Sequence, residues 1–132
     1  GYVMAFPAGS RPYRVLVVED DHERAQELRT LFAEDGYECE VTLDLDTAGE
    51  VVSERKMEAV LVDLEVDGVS AEEALAVFTP TENDQGLIFF NGSTDDTVQR
   101  RCRRQGADSY LSSRSGLQRV VNATCRAVGN AG

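Results

Sequence analysis

The stretch VLVVEDD, residues 15–21, places four consecutive apolar residues directly before three acidic ones. A short apolar run bounded by polar residues is typical of a strand buried on both faces, here Arg14 to Val18. Neighbouring carboxylates repel one another, so Glu19, Asp20 and Asp21 need either solvent or a compensating positive charge. The segment therefore predicts a buried strand that ends in an acidic cluster.

Similar apolar runs recur along the chain, and apolar residues at helical spacing separate one run from the next. Further strands are predicted at 37–42, 59–64, 87–90 and 107–111, and helices at 22–35, 47–54, 70–78, 95–105 and 115–128. A loop is predicted at 79–86, TPTENDQG. Short buried strands that alternate with helices favour right-handed βαβ units and one parallel sheet. We therefore expect an α/β domain with five strands and five helices.

Composition and length bound the class of protein. The chain has 132 residues, of which 42% are apolar and 28% are charged, as in an ordinary globular domain. No apolar run reaches the roughly 20 residues that cross a bilayer, and residues 1–12 lack the basic and apolar regions of a signal peptide. We expect a leader or linker at 1–12, one domain at 13–128 and a tail at 129–132, with no membrane partner.

The three cysteines, Cys39, Cys102 and Cys125, are odd in number and widely spaced, and His22 is the single histidine. This pattern predicts neither a disulfide framework nor a zinc site. It favours reduced thiols and a cytoplasmic location.

Charge is unevenly distributed along the chain. The net charge of −11 is the sum of −17 over residues 1–96 and +6 over residues 97–132. The second segment contains seven arginines and one acidic residue, Asp108. An acidic total argues against general nucleic-acid binding. The last quarter could instead present a basic surface to an acidic partner.

Polar residues follow the predicted strands at the edge where open parallel sheets bind ligands, outside the carboxyl ends of the strands. Glu19 and Asp20 follow the first strand, and Asp63 ends the third. If these strands are neighbours, the three carboxylates converge, and Mg²⁺ is the cation that prefers such oxygen ligands. An aspartate there can also act as nucleophile toward a phosphoryl group. Asp21 is better placed to N-cap the following helix.

VLVVEDD, AVLVDL (59–64) and GADSYL (106–111) together resemble the receiver domain of bacterial response regulators, over about residues 13–128. The resemblance implies a flavodoxin-like, doubly wound, five-stranded parallel sheet of order 2-1-3-4-5 flanked by five helices. It implies a phosphoacceptor at Asp63, Tyr110 as the aromatic switch residue, and signalling without enzymatic turnover of a substrate. It implies Mg²⁺ bound by Glu19, Asp20, Asp63 and the backbone carbonyl of Glu65.

Several positions depart from the family pattern. Asn91, followed by Gly92, takes the place of the usual switch threonine or serine, and Asp67 stands where a proline is common. Ser113 replaces the family lysine, with Arg114 beside it. A charge-assisted hydrogen bond is about twice as strong as a neutral one, so a serine cannot supply the lysine's pairing with a phosphoryl group.

The resemblance also implies partners. A histidine kinase or phosphotransfer protein would donate the phosphoryl group, and the surface of helix 4, strand 5 and helix 5 would contact a second copy or an acidic protein. The expected contact residues on this surface are Arg100, Arg101, Arg103, Arg104 and Arg114, and Arg119 and Arg126 would add to them if they point outward.

Three functional hypotheses remain open. The first is a phosphoaccepting receiver with an atypical switch, and the second is a pseudo-receiver that binds a protein partner independently of phosphorylation. The third is a hydrolase of the haloacid-dehalogenase type with Asp63 as nucleophile. That class places a second aspartate two residues on, where this chain has Glu65.

Overall fold

The computed structural model describes residues 11–79 and 84–131, and these alternate strictly between strand and helix. The strands are β1 (Arg14–Val18), β2 (Glu38–Thr42), β3 (Ala59–Asp63), β4 (Gly86–Gly92) and β5 (Ser109–Ser112). The helices are α1 (His22–Glu34), α2 (Leu45–Glu54), α3 (Ala71–Phe78), α4 (Asp96–Arg104) and α5 (Leu117–Ala131). Most of the predicted leader, residues 1–10, and residues 80–83 of the predicted loop lie outside the described part.

The five strands form one parallel sheet in the order β2-β1-β3-β4-β5. This confirms the predicted α/β class and strand order. The register pairs Val18 of β1 with Val62 of β3. The next residues, Glu19 and Asp63, therefore emerge side by side at the carboxyl edge of the sheet.

Both faces of the sheet are covered, which explains why its strands are almost continuously apolar. Leu16 and Val18 pack on one side with α2, α3 and α4, and Val15 and Val17 pack on the other with α1 and α5. Alternate side chains of a strand point to opposite faces. A single apolar run therefore contributes to two cores at once.

Side-chain caps determine where the helices begin. Asp21, Ser70 and Asp95 each accept a hydrogen bond from a backbone N–H in the first turn of α1, α3 and α4. Asp44 does the same for α2, so that helix begins at Leu45, two residues before the predicted start. At the end of α1, Gly36 has a φ of 81°, a left-handed conformation that glycine adopts at little cost.

Other boundaries also differ from prediction, and β5 covers Ser109–Ser112 where 107–111 was predicted. β4 continues to Gly92 instead of ending at Phe90, because an irregularity after Phe89 shifts its register against β5 and lets pairing resume. α5 begins at Leu117 and continues to Ala131, into the predicted tail, so the division at 13–128 stays a prediction. Among the described residues, no helix is long and apolar enough to cross a membrane.

Candidate functional site

The carboxyl edge of β1 and β3 holds two carboxylates that are wholly removed from solvent. Glu19 and Asp63 each have 0% relative exposure. The backbone N–H of Glu19 donates to the carbonyl of Thr42, which anchors this residue beside β2 at 2.9 Å. Buried charges of one sign require compensation, so the partners of these two groups define the site.

Arg24 supplies that compensation with a single nitrogen. Its Nη1 donates to Asp63 Oδ2 at 2.8 Å and to Glu19 Oε1 at 3.3 Å. The Arg24 side chain is 31% exposed, whereas those of Glu19 and Asp63 are 0% and 1% exposed. The guanidinium therefore bridges the acids and covers them from the solvent side.

The sequence-based prediction did not include Arg24 as a site residue, although the position of this arginine in the sequence could have indicated its role. Arg24 is the third residue of α1, and its backbone N–H donates to the N-cap Asp21 at 2.9 Å. The N-terminus of a helix disfavours positive charge. An arginine at this position, directly after an acidic cluster, indicates that those acids hold it there.

The surroundings of Glu19 and of Arg24 raise the pKa of both groups. Burial above all, and then repulsion from the Asp63 carboxylate, raise the pKa of Glu19. The amides of Asp20 and Asp21 donate to Glu19 Oε2 at 3.1 and 3.4 Å and partly offset this increase. Partial burial lowers the pKa of Arg24, but attraction to Glu19 and Asp63 outweighs it, and the net pKa is raised.

The second oxygen of Asp63 accepts two further hydrogen bonds. The backbone N–H of Glu65 donates to Oδ1 at 2.8 Å, and the side-chain amide of Asn91 donates to it at 3.2 Å. Asn91 has a φ of 55°, in the left-handed region that asparagine tolerates better than most residues. Asn91, at the position of the switch hydroxyl, thus contacts the predicted phosphoacceptor directly.

Tyr110 is directed inward in this conformation. Its ring is buried and packs edge-on against Phe89, and its hydroxyl accepts a hydrogen bond from the backbone N–H of Ser93 at 2.9 Å. A Cβ placed on Gly92 would lie 2.5 Å from the ring. The small residue beside Asn91 therefore makes room for the aromatic side chain.

The remaining predicted site residues are less closely engaged. Asp20, Glu65, Asp67, Ser113 and Arg114 are all exposed. The backbone N–H of Ser113 donates to the carbonyl of Gly92 at 3.1 Å, so this serine ties β5 to β4. Within residues 11–79 and 84–131, no three His, Cys, Asp or Glu side chains form a group arranged to hold a metal ion. The structure brings Glu19 and Asp63 together and leaves Asp20 at the rim.

The predicted basic surface is accessible. All five arginines are exposed, and α4 faces the core through Cys102, with Val98 packed against the same cluster. The positive charge of α4 is therefore directed away from the sheet. It is carried by Arg100, Arg101, Arg103 and Arg104.

The chain matches curated proteins over 75–83% of its length. It is 29% identical over 99 residues to the regulatory protein VanRB of Enterococcus faecalis, covering 75% of this chain and 44% of that protein. It is 26% identical over 112 residues to the response regulator MprA of a Mycobacterium species, covering 83% of this chain and 48% of that protein. The chain thus spans about half the length of these curated relatives.

Solved structures show the same fold. The receiver domain of the Francisella response regulator 1452 superposes with a TM-score of 0.81 at 18% identity, covering 92% of this chain and all of that one. The receiver domain of the Pseudomonas aeruginosa sensor histidine kinase PA1611, with magnesium coordinated in its active-site cleft, gives 0.74 at 17% identity, covering 90% and 99%. The family model of the response regulator receiver domain matches residues 15–124. The chain therefore belongs to the response regulator receiver domain family of two-component signalling.

Proposed function

We propose that this domain accepts a phosphoryl group on Asp63 and signals through the surface of α4, β5 and α5. One observation carries the proposal: Asp63 ends the central strand, with hydrogen bonds to both of its oxygens from Arg24, Asn91 and the Glu65 amide. Such bonds hold a nucleophile in one orientation. We infer that a histidine kinase or phosphotransfer protein is the donor, as in the family.

The transfer step exchanges one bond for another. A carboxylate oxygen of Asp63 attacks the phosphorus of a phosphohistidine, and the O–P bond forms as the N–P bond breaks. The electron pair of the N–P bond stays on the imidazole nitrogen, which takes a proton from solvent. Negative charge then spreads over the phosphoryl oxygens. The amide of Asn91 and the N–H of Glu65 already point at Asp63 Oδ1 and can stabilise this charge.

The donor chemistry of this edge fits Mg²⁺. Its ligands would be oxygens of Glu19, Asp20 and Asp63 and the backbone carbonyl of Glu65, and hard divalent cations prefer oxygen. The buried pair also forms ion pairs with a positive group, the Arg24 guanidinium, and this supports a cation site at the edge. When bound, Mg²⁺ would neutralise phosphoryl charge.

Signalling would pass from Asp63 to the β4–β5 edge. Asn91 contacts Asp63, the next residue Gly92 lies against the Tyr110 ring, and the Ser113 amide hydrogen-bonds Gly92. A displacement of Asn91 is thus transmitted to β5. The exposed arginines of α4 and Arg114 would then contact an acidic protein or a second copy of the domain, in the cytoplasm.

The competing proposal is a pseudo-receiver that binds its partner independently of phosphorylation. The observation in its favour is that Asp63 is covered by Arg24 and that an exposed, neutral Ser113 stands at the position of the family lysine. A nucleophile with 0% exposure is accessible only after Arg24 moves.

Phosphorylation in vitro separates the two proposals. The purified domain is incubated with Mg²⁺ and acetyl phosphate, and intact mass is recorded for the wild type, Asp63→Asn and Asp67→Asn. Asp67 is an exposed acid of the loop that follows β3 and provides the matched control. We expect one added phosphoryl group in the wild type and in Asp67→Asn, and none in Asp63→Asn. An unmodified wild type that still binds Mg²⁺ would support the pseudo-receiver.

A further inference from the structure

The buried carboxylates of Glu19 and Asp63 form ion pairs with Arg24, a basic residue of the same chain. Among the described residues, the ion pairs of Glu19 and of Asp63 both involve Arg24, through the same Nη1 atom. The two carboxylates lie on β3 and just after β1, whereas Arg24 lies on α1, so three parts of the chain meet at one nitrogen. No other basic side chain of residues 11–79 and 84–131 makes a salt bridge to either acid.

We propose that Arg24 is a resident counter-ion that competes with a divalent cation for Glu19 and Asp63 and thereby weakens Mg²⁺ binding. This inference rests on the proposed function in taking Mg²⁺ as the ion that the site uses. It assigns to Arg24 a role in setting the Mg²⁺ concentration at which the domain becomes competent for phosphorylation.

The competition follows from shared ligand atoms. Arg24 occupies Oδ2 of Asp63 and Oε1 of Glu19, two of the oxygens that a metal at this edge would use. A guanidinium and a divalent cation a few ångströms apart repel, and the burial of both acids limits screening by water and salt. Mg²⁺ can therefore bind fully only when Arg24 leaves the pair.

Arg24 has a route by which to leave. Its side chain is 31% exposed, and the long aliphatic stem of an arginine can carry the charged end into water while its base stays in place. The apparent affinity for Mg²⁺ is then reduced by the fraction of molecules in which the guanidinium has moved away. The same movement uncovers Asp63, so metal binding and access of the phosphodonor are linked.

Magnesium titration of three proteins tests the proposal without any phosphodonor. Calorimetry at fixed ionic strength compares the wild type, Arg24→Gln and Arg29→Gln. Arg29 lies on the same helix, is exposed and hydrogen-bonds Gln26, so its substitution removes the same charge away from the acids. We expect Arg24→Gln to bind Mg²⁺ about tenfold more tightly and Arg29→Gln to stay within about twofold of the wild type.

A second measurement uses the wild-type protein, so that it does not depend on how a variant folds. Phenylglyoxal modification of arginines is followed by peptide mass with and without saturating Mg²⁺. We expect Mg²⁺ to accelerate the modification of Arg24 and to leave the modification rate of Arg29 unchanged.

The outcomes are distinguishable from those of the proposed function. Unchanged or weaker Mg²⁺ binding in Arg24→Gln, or an Arg24 modification rate that Mg²⁺ does not increase, would overturn the counter-ion role. Tighter Mg²⁺ binding in Arg24→Gln supports it even if acetyl phosphate never modifies Asp63, a result that would contradict only phosphoacceptance.

Discussion

Gly92 and Tyr110 are matched in size across the β4–β5 edge. A Cβ on Gly92 would lie 2.5 Å from two ring carbons of Tyr110 and 2.6 Å from its hydroxyl oxygen. Real side chains do not approach so closely, and the ring is held inward by its hydrogen bond from Ser93. Packing against Tyr110 is therefore what requires a residue without a side chain at position 92. Backbone conformation does not require it, because the φ of Gly92 is not positive.

Replacing Gly92 with alanine should consequently expel or displace the ring. We expect Gly92→Ala to lower the free energy of unfolding by about 1–3 kcal/mol, the usual cost of overpacking a well-filled site. Gly116→Ala is the control, because a Cβ there meets nothing within 4 Å. Urea unfolding measures both variants, and equal stability of the two would show that the ring moves away at no cost.

Restoring the family's threonine at position 91 should not stabilise the domain. The φ of Asn91 is 55°, and a β-branched side chain fits poorly in that region. We expect Asn91→Thr to be about 1 kcal/mol less stable than Asn91→Ser, which carries the same hydroxyl without the extra methyl group. Urea unfolding provides the comparison, and a threonine variant as stable as the serine variant would contradict the strained backbone.

The N-cap of α1 makes a separate contribution to stability. Asp21 accepts a hydrogen bond from the Arg24 N–H at 2.9 Å. We expect Asp21→Ala to lose about 1 kcal/mol in urea unfolding, while Asp21→Asn, which can still accept this bond, stays close to the wild type. Equal losses in the two variants would indicate that the charge of Asp21, and not its cap, stabilises the domain.

The ion pair between Arg11 and Glu58 should make part of the free energy of unfolding depend on pH in the acidic range. Burial alone would raise the pKa of Glu58, but hydrogen bonds from Arg11 and from the Arg14 amide, and the charge of Arg11, lower it overall. The bonds are 2.9 and 2.7 Å from Arg11 and 2.7 Å from Arg14 N–H. A lowered pKa in the folded state means that this stabilisation is complete above the unfolded pKa and is lost as the pH falls through the folded value.

Urea unfolding at a series of pH values measures this loss. We expect Glu58→Gln to lose less stability than the wild type between neutral pH and pH values below about 4.5, the ordinary range of a glutamate. Glu54→Gln, at an exposed position at the end of α2, should follow the wild-type pH dependence. A Glu58→Gln curve parallel to the wild-type curve would show that the pair does not affect acid stability.

Local patterns in the sequence were sufficient for the α/β class. The apolar run before Glu19 is long enough for a strand and too short for a buried helix, and alternation with helices favours a parallel sheet. Parallel strands align their carboxyl ends, so the approach of Glu19 to Asp63 could be predicted as soon as β1 and β3 were taken as neighbours. The N-cap Asp21 could also be predicted, because a cap acts within its own turn.

The partners of Asp63 could not be predicted from local patterns, because they depend on distances across the tertiary structure. Arg24 lies 39 residues before Asp63, and Asn91 lies 28 residues after it. The left-handed φ of Asn91 arises where β4 shifts its register against β5, which is a property of the assembled sheet. The sequence by itself determined the α/β class and the acids that follow the strands, since periodicity is enough for both, and the resemblance to receiver domains implied the strand order that brings Glu19 beside Asp63. Only the tertiary structure decided that a guanidinium from α1 bridges the two buried carboxylates, because ion pairing requires side-chain atoms within a few ångströms.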